Sequence, residues 1–109
     1  MFISVKPRID RANLKNMAIK IGQTVSLDVN VKGEPPPEIV WQLNDVEVKP
    51  SETIRIDNSD YNTKFYLLRA TRKESGIYTI VATNKVGKDE AKVEIFVMGK
   101  HLMIFYTVL

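Results

Sequence analysis

An antiparallel β-sandwich is predicted by three features of the chain. Thr24 to Val31 alternates strictly, with Val25, Leu27, Val29 and Val31 on one side and Thr24, Ser26, Asp28 and Asn30 on the other. That is the half-buried pattern of an antiparallel strand. Ile77 to Thr83 is rich in β-branched residues, has no proline, and places Tyr78, Ile80 and Ala82 on one face. Short segments of this kind recur about seven to nine times, with turn signals every roughly 8–12 residues and no sustained helical period.

Taken in order, residues 1–5 form a short apolar lead, and Pro7 to Asp10 reads as the first strand, proline being tolerated at a strand start or edge. A polar loop follows to Asn16. Met17, Ile19 and Ile21 alternate as a short edge strand, and Gly22-Gln23 turns into the strand at 24–31. Gly33-Glu34-Pro35-Pro36-Pro37 is a stiff loop, because each proline fixes its own φ and holds its predecessor extended. Ile39, Trp41 and Leu43 form an inward row, and Asn44-Asp45 turns into a short strand, Val46 to Val48.

Pro50 to Thr53 is loop. Ile54 and Ile56 point inward and Arg55 and Asp57 outward. Asn58 to Asn62 reads as a polar loop, and Lys64 to Leu68 as a strand with apolar residues on both faces. Gly76 accepts the positive φ of a sharp turn. Asn84 to Gly87 closes a hairpin, and the return strand buries Ala91, Val93, Ile95 and Val97. Residues 98–109 break the pattern. They fit no strand, and their apolar stretch is shorter than the roughly 18–20 residues of a membrane span.

Glu74-Ser75-Gly76-Ile77-Tyr78 resembles the Asp-Ser-Gly-x-Tyr signature of immunoglobulin domains. There the tyrosine hydroxyl bonds back to the backbone, two residues before the second cysteine of the inter-sheet disulfide. Trp41 then corresponds to the core tryptophan. Val29 and Ile80 stand at the two cysteine positions. Gly33, Pro35, Pro37, Asn84 and Gly87 are similar to those of the intermediate-set domains of giant muscle proteins such as twitchin and titin.

The resemblance covers residues 6–97 and implies an all-β, Greek-key, intermediate-set immunoglobulin sandwich without the disulfide. One sheet would hold the segments at 7–10, 24–31, 64–68 and 54–57, and the other those at 17–21, 88–97, 77–83 and 39–43. Val29, Trp41, Leu67, Tyr78 and Ile80 would then be core, with Phe65 beside them. Glu74, Gly76 and Gly87 would shape the turns, with Arg55 the expected partner of the Glu74 carboxylate. Tyr66 and Leu68 would be left on an outer face among polar neighbours, the composition of a modest protein contact.

A chain of 109 residues corresponds to one domain, and its 44% hydrophobic content is that of a globular protein rather than a disordered one. The 16 basic and 13 acidic residues are interspersed, without the clustered Lys/Arg of a nucleic-acid footprint. The absence of cysteine points to the reducing interior of a cell, and no asparagine begins a glycosylation sequon. The first residues lack the long apolar core of a signal peptide.

No enzymatic chemistry is legible. His101 is the only histidine, so neither a catalytic triad nor a Cys/His metal site can be assembled. Asp57, Asn58 and Asp60 lack the spacing and terminal Glu of a calcium loop. Lys85-Val86-Gly87-Lys88 lacks the glycine pattern and helix of a phosphate loop. The expectation is a non-enzyme with no cofactor, metal, nucleic-acid, membrane or small-molecule partner. The resemblance implies a cytoplasmic, sarcomeric link in a tandem array. Its partners would be neighbouring immunoglobulin and fibronectin-type domains and filament proteins. The alternative is an extracellular adhesion or receptor domain that has lost its disulfide.

Overall fold

The computed structural model describes residues 3–99. Nine strands make two sheets: β1 (Val5–Ile9), β2 (Met17–Lys20), β3 (Val25–Glu34), β4 (Glu38–Leu43), β5 (Val46–Glu47), β6 (Ile54–Ser59), β7 (Asn62–Leu67), β8 (Gly76–Asn84) and β9 (Gly87–Met98). The first sheet has the order β1-β3-β7-β6 and the second β2-β9-β8-β4-β5. After β1 the chain crosses from the first sheet to the second, and β2 joins β9 in parallel, the one parallel pairing among the described strands. This is the all-β sandwich expected, with its strands divided between the sheets as the resemblance implied.

The alternation in the sequence fixes the faces. Along β3 every second residue from Val25 is buried, and Val25, Leu27 and Val29 lie opposite Leu67, Phe65 and Thr63 of β7. Trp41 lies opposite Ile80, which lies opposite Ala91. A slip of one residue in any of these strands would turn its apolar row to solvent, so the registers are strongly specified.

Five features differ from the sequence reading. β1 begins at Val5, inside the expected lead, and β9 runs to Met98. β3 continues through Gly33 to Glu34, whose bond to Pro35 is cis. Gly33 has φ +149, and a Cβ there would lie 2.7 Å from the Pro37 ring. The expected polar loop at 58–62 is a two-residue turn: Asn58 and Ser59 end β6, and Asn62 begins β7. Tyr61 takes φ 69 in that turn and is held by its hydroxyl, which donates to Glu34 Oε1 at 2.8 Å. Lastly, a short 3₁₀ turn, Arg72–Glu74, precedes β8. The expected apolar tail, beyond Gly99, lies outside the described residues.

Candidate functional site

The corner before β8 is built from local hydrogen bonds. Thr71 caps the 3₁₀ turn, its Oγ1 accepting from Lys73 N at 3.3 Å. Glu74 reaches back to the same residue. Its Oε1 accepts from Thr71 N at 2.7 Å and from Thr71 Oγ1 at 2.9 Å. This is the reciprocal capping box that Thr-x-x-Glu encodes. The Tyr78 hydroxyl donates to Glu74 O at 2.6 Å. Ser75 Oγ accepts from Val97 N at 2.6 Å, fastening the corner to β9. Burial, and after it the Glu74 carboxylate, push the Tyr78 phenol well above its ordinary value.

Arg55 is not the partner of Glu74, contrary to the sequence reading. It pairs with Asp57 at 3.2 Å and lies over the Tyr66 ring, 5.7 Å from its centroid. The reason is proximity along the chain. The Thr71 N–H and hydroxyl are three residues from Glu74, whereas Arg55 is directed by register to Tyr66 on the outer face of the first sheet. The Thr71-x-x-Glu74 spacing was the overlooked signal.

Gly76 opens β8 at φ +150, where a Cβ would lie 2.6 Å from the Asn44 side-chain amide. That amide is fixed: Asn44 Oδ1 accepts from Ile77 N at 3.0 Å, and Asn44 N donates to Ile77 O at 2.9 Å. Asn44 and Asp45 both have positive φ, as a two-residue hairpin turn between β4 and β5 requires. Gly87 pairs with Asn84 at the β8–β9 turn, under the Lys6 side chain.

Val29, Trp41, Leu67, Tyr78 and Ile80 are all buried in one apolar cluster. Trp41 stacks on Phe65 with ring centroids 4.6 Å apart, and Phe65 meets Tyr78 edge-on at 5.2 Å. The indole N–H donates to Thr63 Oγ1 at 2.8 Å. Thr63 donates to Asn58 Oδ1 at 2.6 Å, and Asn58 Nδ2 donates to Ile39 O at 3.2 Å. A buried indole needs an acceptor. Thr63, in phase with Phe65 and Leu67 on the inner row of β7, supplies it, so Asn58 and Thr63 are structural residues that the sequence reading missed.

Tyr66 and Leu68 are both half-buried. Tyr66 lies between Ser26 and Arg55 by register. Leu68 follows β7, its N–H donating to Thr53 O at 2.7 Å. The more exposed apolar side chains of strand interiors are on the other sheet, Ile77 at 44% and Phe96 at 52%.

Among the described residues no group of three or more His, Cys, Asp or Glu side chains is placed to hold a metal ion. No helix among them is long and apolar enough to cross a membrane.

Residues 7–97 match the family model of the immunoglobulin I-set domain. The chain belongs to the I-set family. It is 31% identical over 86 residues to the muscle M-line assembly protein unc-89 of Caenorhabditis elegans, covering 79% of this chain and 1% of that protein. It is 33% identical over 87 residues to vascular endothelial growth factor receptor 2 of Coturnix japonica, covering 79% of this chain and 6% of the receptor. Both relatives are therefore far longer than the matched stretch. Among solved structures, the titin domains Z1Z2 in complex with telethonin align with a TM-score of 0.81 at 26% identity, covering 90% of this chain and 49% of that one.

The I-set domain is a non-catalytic fold, and what this one presents is surface and two poles. In place of an inter-sheet disulfide it has Val29, 1% exposed, and Ile80, fully buried, in the Trp41 cluster. A disulfide would act chiefly by constraining the unfolded chain. Here the two positions contribute burial and packing instead.

Proposed function

We propose that this I-set domain is a structural, protein-binding link in the tandem array of a giant muscle protein of the sarcomere, comparable to titin or twitchin. The observation that carries the reading is the placement of the chain's entry and exit at opposite poles. Asn84 Nδ2 donates to Val5 O at 2.8 Å and to Pro35 O at 3.1 Å, which holds the start of β1 beside the β8–β9 turn. At the far end, Ile21 N donates to Met98 O at 3.0 Å. Between the poles runs β9, 12 residues long, or roughly 36–40 Å at about 3.3 Å per residue. A domain threaded pole to pole joins others in series without reversing the chain.

Likeness to unc-89 and to titin domains supports the muscle assignment, and the telethonin complex of Z1Z2 supports a protein-binding role. The partners proposed are adjoining immunoglobulin or fibronectin-type domains and filament proteins in the cytoplasm. Tyr66 and Leu68, with Arg55 and Asp57 at their rim, are the proposed filament-docking patch. An extracellular receptor module is the second reading, favoured by the likeness to the growth factor receptor.

An antibody raised against the folded domain separates the two. The muscle reading gives periodic striations in permeabilised muscle fibres and no signal on intact cells. Labelling of unpermeabilised cells replaces it with the receptor reading. The docking patch is tested by Tyr66→Ser with Leu68→Lys. The variant is expected to lose capture by isolated muscle filaments while retaining a cooperative melt. Undiminished capture excludes that face.

A further inference from the structure

Charges on this sandwich are well distributed across the strands. Lys64 lies between Asp28 of β3 and Asp57 of β6. On the second sheet Lys92 faces Thr79, Glu94 faces Ile77 and Glu90 faces Val81. One register pair among the described strands breaks the rule: Arg8 of β1 is directly opposite Lys32 of β3. Both are exposed. Like charges directly opposite one another destabilise a strand pair.

Nothing in the fold calls for two cations there. The next register pair, Ile9 with Val31, is buried and sets the pairing. An acidic residue at either outward position would serve that pairing better. Neither cation is in an ion pair with a described residue, although the Asp10 carboxylate borders the same surface. Among the described residues the ion pairs are Arg11–Asp89, Arg55–Asp57 and Lys88–Glu90.

The pair borders a shallow concavity of about 650 Å³ lined by Arg8, Ile9, Asp10, Arg11, Asn30 and Lys32. Two of its charged groups are already engaged. Arg11 is bound to Asp89 and to the carbonyls of Ile9 and Glu90. Asp10 Oδ1 accepts from Ala12 N at 2.9 Å. Asn30 Oδ1 accepts from Asn62 at 2.9 Å, which leaves its N–H groups as donors. Apart from the Asp10 carboxylate, the remaining functions are cationic or hydrogen-bond donating. The free edge of β1 is occupied at Ile9, whose N–H and carbonyl bond Asp89 and Arg11, so an approaching segment meets Arg8 and Lys32 over the outer face of the sheet.

We propose that this concavity binds a carboxylate side chain from an extended acidic segment of a partner protein, gripped by the Arg8 guanidinium and the Lys32 ammonium. A planar guanidinium takes a carboxylate through two parallel hydrogen bonds. The bound carboxylate would relieve the repulsion that the free domain carries. Two cations beside the Asp10 carboxylate suit a single carboxylate; a nucleic acid requires a longer basic track. The proposal does not depend on the sarcomeric reading.

The test is an NMR titration of the ¹⁵N-labelled 109-residue chain with N-acetylated, C-amidated hexaglutamate at low salt. Saturable amide shifts are expected at residues 8–11 and 30–32. Arg8→Ala with Lys32→Ala is expected to weaken binding at least tenfold. The control, Lys49→Ala with Lys73→Ala, removes the same charge elsewhere and should weaken it less than twofold. Lys32→Glu is expected to abolish binding yet raise the melting temperature by a few degrees, because it turns a repulsive pair into an attractive one.

Equal weakening in the control would make the effect one of overall charge and overturn the proposal. So would the absence of saturable shifts, or a Lys32→Glu melting temperature at or below the parent's. Tighter binding of a hexathymidylate oligonucleotide at the same amides would replace the acidic segment with a nucleic acid.

Discussion

Trp41 illustrates how much one side chain determines here. Its ring fills the centre of the core against Phe65, and its N–H anchors Thr63 and, through it, Asn58. Trp41→Ala is expected to cost about 3–5 kcal/mol through lost transfer energy and a residual cavity. Thr63→Val keeps the shape but strands the indole N–H, and is expected to cost about 1–3 kcal/mol. Urea midpoints at fixed pH measure both, and a Thr63→Val midpoint equal to the parent's would mean that the indole finds another acceptor. Tyr78 adds a pH dependence. Its phenol is raised above the ordinary value of 10.0, first by burial and then by the Glu74 carboxylate. The folded state therefore resists ionisation more than the unfolded chain does. Stability from this source is complete below the unfolded value and declines as pH rises past it. Tyr78→Phe is expected to lose about 1 kcal/mol at neutral pH, for one hydrogen bond, and to flatten the decline above pH 10.0. A variant with the parent's alkaline slope would assign that slope to another group.

The strands themselves were legible where apolar residues alternate, as in β3, β8 and β9. Legibility stopped where an inward position carried a polar residue. The inner row of β6 runs Ile54, Ile56 and then Asn58, and that of β7 begins at Thr63, so the β6–β7 hairpin read as loop although exposed Asn58 and buried Thr63 are bonded to one another at the rim of the core. The Glu74 carboxylate was misassigned for a related reason. Family likeness implies a distant arginine, whereas a bond between neighbours along the chain is the shorter closure. The crossing from β1 to β2 is likewise held by side chains that hydropathy cannot weigh. Asp89 Oδ2 accepts from Ile9 N at 2.8 Å, and Asp89 Oδ1 meets Arg11 Nη2 at 3.0 Å. The hydrogen bond from Arg11 holds the Asp89 carboxyl below its usual value, with burial opposing. A lowered native value means that this contribution is complete above the ordinary aspartate value of 3.8 and is lost as pH falls through the lower native one. Asp89→Asn is expected to cost roughly 1 kcal/mol at pH 7 and to lessen the acid sensitivity of the chain. Comparing parent and variant midpoints at neutral and acid pH checks both. A stability difference that persists undiminished in acid would remove Asp89 as its origin.

The whole molecule joins these local devices to a single geometric outcome. Asn84 ties the entry of β1 to the β8–β9 turn, and the β2–β9 pairing carries the opposite edge to Met98, so the exit lies a full strand length from the entry. That separation follows from the twelve residues of β9 and needs no inter-sheet covalent bond. Copies joined end to end should then repeat at roughly the strand length plus a short junction, about 40 Å at 3.3 Å per residue. Two copies of residues 3–99 fused directly, measured by small-angle scattering, are expected to show a second maximum in the distance distribution near that spacing. Asn84, whose amide bonds Val5 O and Pro35 O, lies at the joint where the second copy would meet the first. Asn84→Ala removes the bonds to Val5 O and Pro35 O, and the one from Val86 N, from that pole without touching the core. It is expected to broaden the second maximum while leaving each domain's melting temperature within a few degrees of the parent's. A tandem whose centres approach within about 30 Å would show the two copies folded against one another. The pole-to-pole threading would then not produce a serial link.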